Sequence, residues 1–369
     1  MNSYLPVSRP SFSGKEEEYV LEALRSGWVS SRGPYIDALE QAFAKYCGTR
    51  FAIAVSNGTT GLHLAIAAFD IGPGDEVIVP DLTFIATANA VAYTGATPVI
   101  VDIEPNTLTM DVAAVRRAIT PRTKAIVPVH IYGHPADMDP IRATAKEYGL
   151  WVVEDAAEAH GATYKGCRVG GLGDCGVFSF YGNKIITTGE GGMLTTNDSG
   201  FNQRARSLRD QAMDLKRRYW HGERGFNYRM TNIQAALGLA QFEQIEQFIA
   251  RRREIMGWYT ENIATSNSVR LNRKADWAES VHWMVCLEDD RFNTASRERF
   301  MLALEAEGIE SRPYFYPVSA MGVYDSEKNP VAARKSMIGV NLPTYVGLTQ
   351  QDVARIGKVV NAQLFAVAT

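Results

Sequence analysis

"KAIVPVHIYGHPADMDPIRATAKEYGLWVVEDA", residues 124–156, decides the fold. Its ends, "KAIVPVHI" (124–131) and "LWVVEDA" (150–156), are short apolar runs rich in β-branched residues. Between them "DPIRATAKEYG" (139–149) has helical spacing and stops at a glycine. A strand that is apolar on both faces must be covered on both. Two such strands joined by a helix lie parallel in one sheet.

The same rhythm extends outward. "FAIAVS" (51–56), "EVIVP" (76–80), "TPVIVDI" (97–103), "GVFSFY" (176–181) and "GGMLTT" (191–196) read as strands, with helices at "GTTGLHLAIAAF" (58–69) and "TFIATANAVAYTG" (83–95). The expectation is an α/β fold, a mostly parallel mixed sheet between helices. From about residue 235 the pattern changes. "IQAALGLAQFEQIEQFIARRREIMGWYTENI" (233–263) reads as one long amphipathic helix. After it come a strand in "SVHWMVCLE" (280–288), a helix in "SRERFMLALEAEG" (296–308), a strand and turn in "IESRPYFYP" (309–317) and a helix in "TQQDVARIGKVVNAQLFA" (349–366). This predicts a large domain over 1–240, whose N-terminal segment packs with the second unit, and a smaller C-terminal α+β domain over 241–369 entered by the long helix.

The chain has 369 residues, 46% hydrophobic and 21% charged, with a formal net charge of −3. That charge gives no reason to expect nucleic acid or an anionic membrane as partner. Cys47, Cys167, Cys175 and Cys286 form no CxxC pair and read as reduced thiols. The opening "MNSYLPVSRPSFSGKEEEYV" lacks a basic segment followed by an apolar one, and no apolar run reaches membrane-spanning length. A cytoplasmic protein is expected. His130 and His134 stand four apart in "HIYGH", but Gly133 and Pro135 make a loop there, so no metal site is expected.

Ligands of a parallel α/β sheet bind outside the carboxyl ends of its strands. Four stretches fall there. "SNGTTGLH" (56–63) turns from strand to helix at Gly58 and Thr59, either a phosphate corner or a plain N-cap. "VVEDAAEAHGA" (152–162) ends a buried strand in Asp155, which needs a cationic or hydrogen-bonding partner or caps the next helix. Ala156 and Ala157 leave room there for a flat ring. "FSFYGNKIITTGEGG" (178–192) sets Ser179 five residues before Lys184, ahead of a glycine run. A surface lysine would need no apolar flanks; a lysine that forms an imine gives up its isolated charge and can occupy a pocket. "GFNYRMTNIQAALG" (225–238) is a polar loop with Asn227 and Arg229 leading into a helix.

In this order the four form the parts list for pyridoxal phosphate held by an imine. Together with "GPGDEVIVPDLTFIATANAV", "GATPVIVDI" and "ITPRTKAIVPVHIYG" they make the chain resemble, along nearly its whole length, the DegT/DnrJ/EryC1/StrS family of sugar aminotransferases, fold-type I pyridoxal-phosphate enzymes. The resemblance implies that Lys184 bonds the cofactor and moves the proton, and that Asp155 pairs with the pyridine nitrogen. It implies Phe84 on one ring face, Ala157 on the other and Glu158 beside the cofactor. Gly58, Thr59 and Ser179 would hold the phosphate, and Asn227 would reach the phosphate of a neighbouring subunit, making a homodimer with shared sites. L-glutamate would be the amino donor, and C4 of a nucleotide-linked 4-keto-6-deoxy sugar, GDP-4-keto-6-deoxymannose, the acceptor. The alternatives are a dTDP- or UDP-linked keto sugar, or a sugar dehydratase, against which Lys184 speaks because such relatives carry histidine there. Ser31 in "SGWVSSRGPY", Arg218 in the basic run 216–218, and Tyr316 and Ser319 in "YFYPVSAM" are the substrate-side candidates.

Overall fold

The computed structural model describes residues 4–214, 216–324, 326–327 and 329–366. Its main sheet is built from β1 (Phe51–Val55), β2 (Glu76–Pro80), β3 (Thr97–Val101), β4 (Thr123–Ile126) and β5 (Trp151–Asp155), and, after the hairpin β6 (Thr163–Tyr164) and β7 (Cys167–Arg168), from β8 (Cys175–Ser179) and β9 (Gly192–Thr196). The strand order is β1-β9-β8-β5-β4-β2-β3. The pairs from β8 to β3 are parallel, whereas β9 runs antiparallel to both β8 and β1. The reason is the connection: residues 180–191 contain no helix, so the chain turns straight back after β8 instead of crossing over. The α/β fold and all seven strands agree with the sequence reading.

Alternation along the strands feeds both faces. Ile53, Val55, Val77, Val79, Val153, Val177 and Leu194 pack with Leu62, Ile66, Val91 and Phe201 from helices on one side. Ala52, Ala54, Phe178 and Met193 face Leu39, Phe43 and Phe248 on the other. Every residue of β2, β8 and β9 is buried, as strands covered on both faces require.

The C-terminal part carries β10 (Val269–Leu271), β11 (Ala278–Glu279), β12 (Val285–Asp289), β13 (Arg312–Pro313) and β14 (Gly339–Leu342). Four of them form an antiparallel sheet ordered β10-β12-β14-β13, while β11 pairs with β6. Helices Ile245–Asn262, Thr294–Ala306 and Gln350–Ala366 close a core with Tyr259, Phe300, Val340 and Ile356. Leu5 bridges to Ile309, and the Val7 carbonyl accepts from the Thr344 amide at 2.9 Å, so the N-terminal segment crosses to this part.

Two expectations are corrected. The stretch 233–263 is two helices, Asn232–Phe242 and Ile245–Asn262. At the break Gln244 adopts φ −107° and ψ 4°. Its side-chain amide donates to Glu16 Oε1 at 2.9 Å, and its side-chain oxygen accepts from Ser13 Oγ at 2.8 Å. The docked N-terminal segment therefore overrides a helical pattern that has no glycine or proline at the break. The stretch 280–288 is likewise not one strand: His282 takes φ 48°, and the chain turns between β11 and β12. Among the described residues no helix is long and apolar enough to cross a membrane.

Candidate active site

The carboxyl ends of β1, β2, β5 and β8 deliver most of the site residues expected from the sequence. After β1, Asn57 caps helix Gly58–Ala68. Its side chain accepts from the Thr60 amide at 2.9 Å, while its own amide donates to Thr60 Oγ1 at 3.2 Å. The first-turn N–H groups of Gly58 and Thr59 have no acceptor within the helix. Gly58 lies so close to the end of β8 that a Cβ there would sit 2.9 Å from Ser179 Cβ. Glycine at 58 is thus what lets two free N–H groups and a serine hydroxyl share one corner, a geometry suited to an anion.

Asp155 ends β5 with its carboxylate buried. Oδ2 accepts from Thr87 Oγ1 at 2.8 Å and Oδ1 from the Ala157 amide at 3.2 Å. Burial raises its pKa; Thr87, Ala157 and the nearby Lys184 and His130 oppose the rise. Glu158, equally buried, accepts from the Tyr132 amide at 2.7 Å, and its Oε1 lies 3.8 Å from Lys184 Nζ. Burial pushes Glu158 up to about 7, with Lys184 the main counterweight. The Lys184 side chain is 12% exposed, and its ammonium sits 3.9 Å from the centroid of the Trp283 ring. Burial lowers its pKa, against the pull of Glu158 and Asp155. Two buried carboxyl groups thus face one amine, and burial pushes each of the three toward its uncharged form.

The mouth is aromatic. Phe84 is 56% exposed, with its ring centroid 5.9 Å from that of Phe315. Tyr132, held at φ 52°, connects mouth and base: its amide bonds Glu158, and its hydroxyl accepts from the Phe315 amide at 2.9 Å.

The substrate-side candidates are more dispersed. Ser31 is half-buried in a loop pinned by the side chain of Asn232, which bonds the Trp28 carbonyl at 2.8 Å and the Tyr35 amide at 3.0 Å. Arg218 is exposed, its guanidinium 4.9 Å from the Tyr219 ring centroid. The Tyr316 hydroxyl accepts from Arg297 Nη2 at 3.5 Å. Ser319 is committed elsewhere: its amide and hydroxyl both donate to buried Asp81, each at 2.7 Å. Asn227 is exposed, and its Oδ1 accepts from Arg229 of the same chain at 3.0 Å. Among the described residues no hydrogen bond joins Asn227 or Arg218 to Lys184, Asp155 or Ser179. His130 and His134 serve the loop: His130 Nε2 bonds Glu154 Oε2 at 3.0 Å, and His134 Nδ1 bonds the Pro135 carbonyl at 2.7 Å.

Sequence reasoning missed Thr87, Tyr132, Trp283 and His160. Trp283 comes from the other end of the chain and gives no local signal. His160 is fully buried between Phe178 and Phe180 with neither ring nitrogen hydrogen-bonded, and burial lowers it to about 3. It is a neutral packing group beside the site. Thr87 stood in the open, three residues after Phe84.

An anion corner, a buried carboxylate and a buried amine at the carboxyl edge of such a sheet define a site for amine chemistry on a phosphorylated cofactor. The model of the DegT/DnrJ/EryC1/StrS aminotransferase family matches residues 10–361, and the chain belongs to this family. It is 51% identical to a protein named GDP-perosamine synthase from Caulobacter vibrioides, over 95% of this chain and 96% of that one. It is 46% identical to the GDP-perosamine synthase of Escherichia coli O157:H7, over 97% and 98%. Among solved structures, Spr1654 from Streptococcus pneumoniae in its PLP form superposes with a TM-score of 0.93 at 28% identity, covering 99% of this chain and 100% of that one.

Proposed function

We propose that the chain is a pyridoxal-phosphate-dependent aminotransferase that carries an amino group from L-glutamate to C4 of GDP-4-keto-6-deoxymannose, forming GDP-perosamine. What carries this reading is the pair of relatives named for that activity, 51% and 46% identical over nearly full length.

The residues present fit the cofactor. The phosphate would have the free N–H groups of Gly58 and Thr59 and the Ser179 hydroxyl, and the buried Asp155 carboxylate, held by Thr87 and the Ala157 amide, would pair with the pyridine nitrogen. When bound, pyridoxal phosphate supplies an aldehyde that condenses with amines and a ring that accepts electrons from a breaking C–H bond. Lys184 would provide the amine, and its burial favours the neutral, nucleophilic form. With the cofactor bound, the Lys184 amino group would be the base that moves the proton between the substrate carbon and the cofactor carbon. Asp155 would hold a proton on the pyridine nitrogen. Glu158, 3.8 Å from Lys184 Nζ, stabilises the ammonium when Lys184 carries the proton. Phe84 and Ala157 would bound the two faces of the ring, and the Trp283 ring lies 3.9 Å from the Lys184 ammonium. Ser31, Arg218, Tyr316 and Ser319 are assigned to the sugar-nucleotide side, Ser319 through the segment that Asp81 anchors.

The working unit in this reading is a cytoplasmic homodimer in which Asn227 serves the partner's phosphate corner, and each chain divides near residue 240, at the break that follows helix Asn232–Phe242. The exposure of Asn227 leaves its side chain open to a second subunit.

The test is a mass-spectrometric assay with glutamate and a panel of GDP-, dTDP- and UDP-linked 4-keto-6-deoxy sugars. The reading expects an amino sugar and 2-oxoglutarate in equal amounts with the GDP-linked substrate. Turnover confined to a dTDP- or UDP-linked sugar overturns the substrate. A deoxygenated product without 2-oxoglutarate overturns the reaction.

A further inference from the structure

Asp155 is set by a neighbour of its own. Thr87 lies in the first turn of helix Ala86–Tyr93 and is 1% exposed; Thr83 is equally buried. Thr87 Oγ1 is 2.8 Å from Asp155 Oδ2 and 2.9 Å from Thr83 Oγ1. An ionised carboxylate only accepts, and a hydroxyl has one proton to give. Each hydroxyl also has the Phe84 carbonyl 3.3 Å away, but the shorter contacts, 2.8 Å to Asp155 and 2.9 Å between the hydroxyls, make Thr87 the donor to Asp155 and Thr83 the donor to Thr87. The other Asp155 oxygen is held at 3.2 Å by the Ala157 amide, so the two donors together fix the plane of the carboxylate. Thr87 also closes the turn that presents Phe84: its amide donates to the Phe84 carbonyl at 3.2 Å. Its β-branched side chain has few rotamers in a helix and can hold this position.

We propose that Thr87, supported by Thr83, is a positioning residue that orients the Asp155 carboxylate and keeps it ionised, and that it couples this carboxylate edge to the Phe84 ring in a single turn. The proposal rests on the reading of Asp155 as the partner of the cofactor's ring nitrogen. The charged or titratable groups facing Asp155 are Lys184, Glu158 and His130, none of which shares the helix of Thr87.

The experiment uses the full-length protein loaded with pyridoxal phosphate and compares Thr87→Val, which keeps the shape and removes the proton, with Thr87→Ser, which keeps the proton. Three quantities are read: the dissociation constant of the cofactor from apoprotein fluorescence, the pH midpoint of the bound cofactor's visible absorbance, and kcat against KM. Thr87→Val should weaken cofactor binding about tenfold, move the pH midpoint, and lower kcat at least about tenfold with KM for the sugar unchanged. Thr87→Ser should come within about threefold of the parent in both constants. Thr83→Val should show a smaller effect of the same sign, and it carries the test if Thr87→Val does not fold. A Thr87→Val protein with the parent's midpoint and affinity overturns the proposal, as does a Thr87→Ser protein as impaired as the valine variant. Asp155→Asn, measured in parallel, separates the two layers. If it too leaves the absorbance titration unchanged, the ring-partner reading falls; if it moves the midpoint while Thr87→Val does not, only the role of Thr87 falls.

Discussion

Lys184 is tolerated where it stands because its neighbours are arranged for an amine that loses its proton. Its ammonium has an aromatic face at 3.9 Å and a carboxylate at 3.8 Å, too distant for a tight ion pair. Lys184→Ala should still bind cofactor but lose at least about three orders of magnitude in kcat, since the covalent attachment and the proton carrier vanish together. Single-turnover rates check this, and a rate within about tenfold of the parent contradicts it. Glu158 gives a pH prediction with a definite sign. Its folded pKa of about 7 lies above the ordinary 4.5, so the native apoprotein holds a proton that the unfolded chain has released. Stability from this group is therefore lost as pH rises from about 4.5 through 7. Urea midpoints of the apoprotein should fall across that window less steeply in Glu158→Gln than in the parent; equal slopes contradict it. Asp155 and Lys184 stood out only in combination: each alone has a bland reading, an N-cap or a surface lysine, and their order with the glycine corner and the glycine run singled them out. Thr87 did not, because a threonine in a helical stretch has many bland readings.

At the scale of elements, the strands and their order of appearance could be read because a sheet buried on both faces writes itself as apolar runs. What could not be read were features set by contacts distant in sequence. The break at Gln244 depends on Glu16 and Ser13, and the turn at His282 carries no glycine or proline to announce it. Glycine was informative where space is the constraint. A Cβ on Gly192 would sit 2.8 Å from the Asn57 carbonyl carbon and 2.8 Å from the Phe178 oxygen, all backbone that cannot swing aside. Gly192→Ala should push β9 from the Asn57 cap, destabilise the fold by about 2 kcal/mol or more and weaken cofactor binding with it. Thermal unfolding and cofactor titration of the same preparation check both effects. A variant with the parent's melting temperature would show that the β8–β9 corner is looser than the geometry indicates.

At the scale of the whole molecule, the two parts of the chain meet over the site: Trp283 covers Lys184, and Phe315 hangs from Tyr132. No local pattern could place either, because each contact spans about a hundred residues or more. The proposed sharing of sites between subunits has a direct test in mixed dimers of Lys184→Ala and Asn227→Ala. If Asn227 acts across the interface, the hybrid has one intact site and its activity exceeds that of both parents; if it acts within its own chain, mixing restores nothing. The account as a whole turns on the covalent bond at residue 184. Borohydride reduction of the cofactor-loaded protein, followed by peptide mass spectrometry, reads that bond. The reduced cofactor is expected on the peptide containing Lys184, whereas cofactor recovered free, or attached to any other lysine, would contradict the account.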